Sequence, residues 1–252
     1  MAQKSDIEWT DATWNPVTGC TKVGPGCDNC YAERFAERWR GVAGHPYEQG
    51  FDLKLWPSRL EHPVHWRKPR MIFVNSMSDL FHKNIDRCFI DRVFDVMERA
   101  DWHVFQVLTK CSSLMRNYVR ARYGGRMAPR HIWLGVSVED SEHVSRISHL
   151  KAINSEARFV SFEPLLGPIA EVDLREVAWA IVGGESGPEA RPMRSEWVRN
   201  LRDVCQRDGV EFFFKQWGGS RPKSNGRLLD GVEWNGLPVH LLTKPLIESW
   251  AA

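Results

Sequence analysis

Long apolar runs are missing from this 252-residue sequence. The longest reach only a handful of residues, far short of the roughly 20 needed to cross a bilayer, so no membrane-spanning helix is expected. A surplus of one charge is missing too: 34 Lys and Arg stand against 32 Asp and Glu, a formal net charge of +2. That balance gives no bulk electrostatic attraction to nucleic acid and leaves only a local basic groove open. No apolar core of a signal peptide follows Met1-Ala2-Gln3-Lys4-Ser5-Asp6, which predicts a cytoplasmic, reducing setting, where clustered Cys bind metals or catalyse rather than pair. No internal repeat or low-complexity tract stands out. With 42% hydrophobic and 26% charged residues, collagen-like, disordered and coiled-coil chains are excluded as well.

What is present is unusual in two respects. There are twelve Trp, against roughly three or four at average composition. There are also six Cys, and their placement matters more than their number.

Short apolar runs recur at Phe51–Trp56, Met71–Asn75, His103–Thr109, His131–Val138, Arg158–Phe162, Trp179–Val182 and Val210–Lys215. Most are apolar throughout rather than alternating, as in parallel strands covered on both faces. Helical spacing separates them, clearest over Arg87–Arg99, Ser112–Tyr123 and Trp197–Arg207. Asp28 is a candidate cap for a helix to about Val42, with Tyr31, Phe35 and Trp39 at i, i+4 and i+8. With a first strand near Thr13–Pro16, seven or eight strands alternate with helices. The expectation is an α/β fold, a partial or complete TIM-type barrel over residues 1–217, with 218–252 an appended cap. Reactive groups then belong just after the strands.

The sharpest local signal is Cys20-Thr-Lys-Val-Gly-Pro-Gly-Cys27-Asp-Asn-Cys30, placed between the first strand and the first helix. Gly19, Gly24, Pro25 and Gly26 allow the loop to curl so that three thiolates converge. Three sulfurs suit an iron–sulfur cluster, or zinc with a fourth ligand from Cys88, Cys111, Cys205 or His45. Three unrelated thiols are the remaining alternative. Polar residues also end the later strands: Ser78 and Asp79, Lys110, Ser137, Glu163, Glu185, then Lys215, Gln216 and Trp217. A Ser or Asp after a strand often does no more than cap a helix, but six polar strand ends on one face suggest a site.

As an ordered set these segments resemble the radical S-adenosylmethionine (SAM) superfamily, and most nearly a phage-associated family within it of unassigned function. The resemblance rests on Trp14–Cys20, the three-Cys loop with Tyr31-Ala32-Glu33-Arg34, Phe73–His82, Gln106–Lys110, Trp133–Glu139, Phe162–Pro168, Val182–Pro188 and Phe213–Gly218. The order Cys loop, Ser-Asp, Leu-Thr-Lys, Ser is also similar to the spore photoproduct lyase branch, which repairs DNA. This resemblance implies a [4Fe–4S] cluster on Cys20, Cys27 and Cys30, with Ser78, Asp79, Lys110 and Ser137 orienting SAM. It further implies a one-electron reductant as partner, a 5′-deoxyadenosyl radical and a nucleic-acid or nucleotide substrate. Glu163, Glu185, Lys215, Gln216 and Trp217 are assigned to the substrate side by their strand-end positions. The loop departs from the superfamily's usual C-x3-C-x2-C: its first interval is six residues, and Asn29 precedes the last Cys where an aromatic is common. For a nucleic-acid substrate, Trp9, Trp66 or Trp234 are candidates for stacking on bases. The competing class is a zinc- or cluster-stabilised barrel that binds nucleic acid or protein without catalysis.

Overall fold

The computed structural model describes residues 5–221 and 223–251. Seven strands form its main sheet: β1 (Ala12–Trp14), β2 (Met71–Val74), β3 (Val104–Thr109), β4 (Ile132–Ser137), β5 (Arg158–Phe162), β6 (Trp179–Gly183) and β7 (Glu211–Gln216). All are parallel and lie in chain order. Among the described residues β1 and β7 do not pair, so the sheet curls into a half-barrel rather than a closed one. The helices are α1 (Tyr31–Glu37), α2 (Arg87–Arg99), α3 (Ser112–Tyr123), α4 (Ser145–Lys151), α5 (Ser195–Asp208) and α6 (Lys244–Ala251).

The strands are apolar on both faces because each face has its own core. Ile72, Val74, Phe105, Val107, Leu134, Val136, Val160 and Val182 point outward and pack on α2 to α5. The alternate residues Phe73, Trp133, Phe159, Trp179 and Phe213 point inward and join Trp9 in a second core. Trp179 is its centre, with ring centroids 5.8 Å from Trp133, 6.1 Å from Phe159 and Phe213, and 6.2 Å from Trp9. Each such ring buries roughly 150–250 Å², about 4–6 kcal/mol of gross transfer energy at 25 cal/mol per Å². Leu241, Leu242 and Leu246 close this aromatic floor, and Trp179 Nε1 donates to the Gly236 carbonyl at 2.7 Å. Part of the Trp surplus is therefore a plug in the concave face.

Gly135 of β4 is needed for that plug, because the Phe159 ring lies where its side chain would be. Gly135→Ala is expected to destabilise the chain by about 1–3 kcal/mol, the usual range for overpacking, read as a lower urea midpoint with an unchanged slope.

Several sequence expectations are corrected. Phe51–Trp56 is not a sheet strand; only Lys54–Leu55 is extended, antiparallel to Val17–Thr18 and outside the main sheet. Its polar members Asp52 and Lys54 prevent burial on two faces, which the sheet strands require. The helix after the Cys loop is shorter than expected, because Asp28 already closes a 3₁₀ turn over Pro25–Cys27 and Cys30 becomes the N-cap. Beyond Glu37 the chain turns back, with Arg40 bridging Glu37 and Asp52. The Tyr31, Phe35 and Trp39 stripe consequently faces solvent. Trp9 and Trp66 are buried, and Trp234 packs edge-on against Phe212 at 5.7 Å, so none of the three offers a stacking surface.

After Gly218 the chain makes a short hairpin, Leu228–Leu229 with Val232–Glu233, then runs along β7. There Phe214 N–H donates to the Trp234 carbonyl at 2.9 Å and Gly236 N–H to that of Phe212 at 2.9 Å. No helix among the described residues is long and apolar enough to cross a membrane.

Candidate functional site

The Cys loop is strapped across the carboxyl ends of the strands. Near its start Gly19 takes φ 82°, against the Asp52 carbonyl, and its N–H donates to the Met77 carbonyl at 3.0 Å. A side chain has no room there, and glycine accepts that backbone without strain. The Ser78 hydroxyl donates to the Val17 carbonyl at 3.0 Å. His82 Nδ1 accepts from Asn84 N–H at 3.2 Å, so Nε2 carries the hydrogen and donates to the Thr21 hydroxyl at 2.8 Å.

The far end is held by β6. Glu185 accepts from Asn29 Nδ2 at 2.9 Å and from Arg191 at 2.6 Å; Arg191 also donates to the Pro25 carbonyl at 2.7 Å. The Tyr31 hydroxyl donates to the Ser76 carbonyl after β2. Midway the loop touches β4: a β-carbon on Gly26 would stand 2.5 Å from Glu139, and one on Gly24 3.1 Å from His143. The strap thus spans from β2 over β4 to β6.

Cys20, Cys27 and Cys30 are free and half-buried on this strap. Burial, then Asp79, pushes the Cys20 thiol up to about 12, and the charges of Cys27 and Cys30 add to the rise. Burial raises Cys30 as well, and Cys27 adds to it. Cys20 and Cys30 therefore sense neighbouring charge on the strap, although among the described residues no three His, Cys, Asp or Glu side chains gather closely enough to hold a metal ion. Cys111 adjoins Cys20 and Asp79, and burial first, then Asp79, pushes it up to about 12. The other candidates for a fourth ligand lie elsewhere: Cys88 is exposed on α2, Cys205 is in the outer core, and His45 stacks on Trp39 at 4.1 Å.

The strand-end groups divide by what they hold. Asp79 is buried and accepts from the Thr109 hydroxyl at 2.6 Å, Lys110 N–H at 2.9 Å and Phe81 N–H at 2.9 Å, tying the end of β2 to β3. Lys110 donates to Glu139, whose other oxygen accepts from Arg146 at 2.8 Å. Burial works against ionisation of Glu139, yet Lys110, Arg146 and His143 hold its carboxyl below the usual range. Ser137 is buried at the end of β4, and its carbonyl accepts from Arg146 at 2.7 Å. Glu163 and Lys215 pair at 3.0 Å. Gln216 is buried, donates to the Ser186 hydroxyl at 2.7 Å and accepts from Lys223 N–H at 2.9 Å, while Trp217 packs on Phe214 and donates to the Leu228 carbonyl at 2.8 Å. Gln216 and Trp217 thus hold the chain after β7.

Asn29, Arg146, Arg191 and His82 were not legible as site residues. Asn29 and Arg191 sit in loops without periodicity, and Arg146 lies on a helix too short to register as a pattern. An open cleft of about 660 Å³ lined by Glu8, Asp11, Lys68 and Arg70 lies at the amino end of the strands.

Fold and site together define an α/β half-barrel whose carboxyl mouth is crossed by a three-Cys loop. The chain belongs to the family described as "Protein of unknown function (DUF5131)", whose model matches residues 4–238. No curated protein matches it. Among solved structures it is similar to "Spore photoproduct lyase complexed with dinucleoside spore photoproduct", at 11% identity and a TM-score of 0.41, covering 80% of this chain and 74% of that one.

Proposed function

We propose that this protein is a radical SAM-type enzyme that holds a [4Fe–4S] cluster through Cys20, Cys27 and Cys30. The observation that carries the reading is the strap: three free, half-buried thiols on one loop fixed over the carboxyl mouth of a parallel half-barrel. Thiols in a loop of this kind suit iron, and three of them leave one iron of a cubane without a protein ligand. When bound, such a cluster supplies an open iron that chelates SAM and an electron, drawn from a one-electron reductant, that cleaves it.

The chain's own residues position and shield. Lys110 supplies a fixed cation for the carboxylate of SAM; Asp79 holds Lys110 by its backbone, and Glu139 holds its ammonium. Ser78 and Ser137 complete the SAM side, while Glu163, Glu185 and Lys215 belong to the substrate side. Glu185 acts through Asn29 and Arg191 on the strap, as a positioning residue. The aromatic floor closes the concave face from below.

Anaerobic reconstitution should give a brown protein with about four irons per chain, which releases 5′-deoxyadenosine from SAM under dithionite. Stoichiometric zinc with no iron uptake would instead favour a zinc-stabilised binding barrel. Arg191→Gln is expected to weaken iron retention about 10–100-fold, the usual effect of losing a residue that orients metal ligands; chelator challenge reads it directly. Unchanged retention would show that the strap holds its shape without the Glu185 clamp.

A further inference from the structure

We propose that Tyr31 is a positioning residue whose hydroxyl closes the three-Cys loop into a ring on the turn after β2, and so fixes Cys30 relative to Cys20. Three observations meet here. The first is where the two ends of the loop go. At its start Gly19 pairs with Ser78 in parallel fashion, its N–H donating to the Met77 carbonyl at 3.0 Å. At its end the Tyr31 hydroxyl donates to the Ser76 carbonyl. The residues that adjoin Cys20 and Cys30 are thus tied to neighbouring carbonyls of one turn.

The second is that this turn is itself fixed. Buried Asn15 accepts from Met77 N–H at 3.0 Å and donates to the Ser76 hydroxyl at 3.2 Å. The Ser78 hydroxyl donates to the Val17 carbonyl at 3.0 Å. A group supported in this way by its neighbours is a firm anchor for a binding loop.

The third is that packing does not account for the tyrosine. Its ring is 55% exposed and, among the described residues, belongs to neither core. Phenylalanine would fill the same space, so the contact that needs Tyr31 is the hydroxyl bond. The ties of Asn29 lead away from Cys20, to Glu185 and to the Glu189 carbonyl after β6, both at 2.9 Å. The ion pair of Lys22 with Glu33 at 2.9 Å does join the two ends, but both groups are open to water, where such a pair contributes little.

Three thiols serve one centre only if their spacing is kept, and the residues that orient them set how well they do so. The six-residue first interval makes closure matter more, because a longer loop keeps its ends together at greater entropic cost. The inference rests on the proposed function in taking Cys20 and Cys30 as ligands of one centre, and its test needs no metal.

The full-length, reduced, metal-free protein should be treated with iodoacetamide and the alkylation rate of each Cys followed by mass spectrometry. In Tyr31→Phe, Cys30 is expected to react roughly 5-fold faster than in wild type, the gain in opening when one hydrogen bond is lost. Cys20 and Cys27 should keep their rates. Thr21→Val removes the hydroxyl that meets His82 at 2.8 Å; it should speed Cys20 instead and leave Cys30 alone. A response confined to one thiol separates positioning from general loosening, which speeds all three together. Because the ring is exposed, the urea midpoint of Tyr31→Phe should stay near wild type. An unchanged Cys30 rate, or a parallel rise at Cys20, Cys27 and Cys30, overturns the proposal. So does a Tyr31→Phe protein that does not fold, since the hydroxyl would then serve the fold rather than the loop. Iron loading of the wild type tests the cluster and alkylation of the metal-free variant tests the ring, so the two readings fail separately.

Discussion

Cys20→Ala, Cys27→Ala and Cys30→Ala proteins, each reconstituted anaerobically, are expected to lose the brown cluster absorbance and to cut 5′-deoxyadenosine release by about 10³-fold or more. That exceeds the roughly 10–100-fold cost of disturbing residues that only orient ligands. A thiolate that bonds iron has no substitute in a methyl group. The contacts these sulfurs make are weak: Cys20 reaches the Thr21 carbonyl at 3.6 Å, and Cys30 faces the backbone N–H groups of Ala32 and Glu33. Loss of function without loss of fold should follow, with an unchanged far-ultraviolet spectrum. Cys88→Ala is the internal control, because that thiol is exposed on α2 and should leave iron content untouched. Cys111→Ala is the discriminating variant. Cys111 adjoins Cys20, so loss of iron there with retention in Cys20→Ala would move the ligand set one residue group away from the loop. Four irons retained in all three loop variants would remove the Cys loop as the ligand set.

Much of the scaffold was legible because its physics is periodic. Arg158–Phe162 stands as a strand from end to end, and Arg87–Arg99 and Ser112–Tyr123 as helices, since each repeats one pattern that burial demands. The same rule misled at Phe51–Trp56, where aromatic residues at the ends imitate a strand while Asp52 is exposed and Lys54 lies over the Trp56 ring. Strand-end position alone did not say what each residue holds. Lys215 pairs with Glu163 across β6, while Gln216, one residue on and past a shift in register, holds Ser186 and the Lys223 backbone. The strap's anchors had no pattern to find. Asn29 and Arg191 lie 162 positions apart in sequence yet meet on Glu185, a contact made by the fold and not by spacing. Composition pointed correctly to an unusual Trp content, but its meaning came from packing: Trp9, Trp133 and Trp179 form a floor rather than a surface for bases.

Glu139→Ala is expected to cost about 3–5 kcal/mol, the range for breaking a buried ion pair from one side. Glu139 is fully buried, and its partners Lys110 and Arg146 are 19% and 9% exposed, so the variant leaves two poorly solvated cations without a counter-charge. Glu139→Gln should cost less, because the amide oxygen still accepts from one of them. The pH dependence carries the signature of this group. Burial opposes its ionisation, but Lys110, Arg146 and His143 together hold its pKa below the unfolded value. Stability from such a group is complete above the unfolded pKa, about 4.3 for Glu, and is lost as pH falls through the lower folded value. Urea midpoints at pH 7, 4 and 3 should therefore show the gap between wild type and Glu139→Gln wide at pH 7 and narrowing toward pH 3. A gap that stays constant across that range would mean the carboxylate's charge is not what stabilises the mouth. The same residue underlies Gly26, so a stable Glu139→Gln protein with faster alkylation of Cys27 would tie the ion cluster to the strap. Equal alkylation rates would confine its role to holding Lys110 and Arg146.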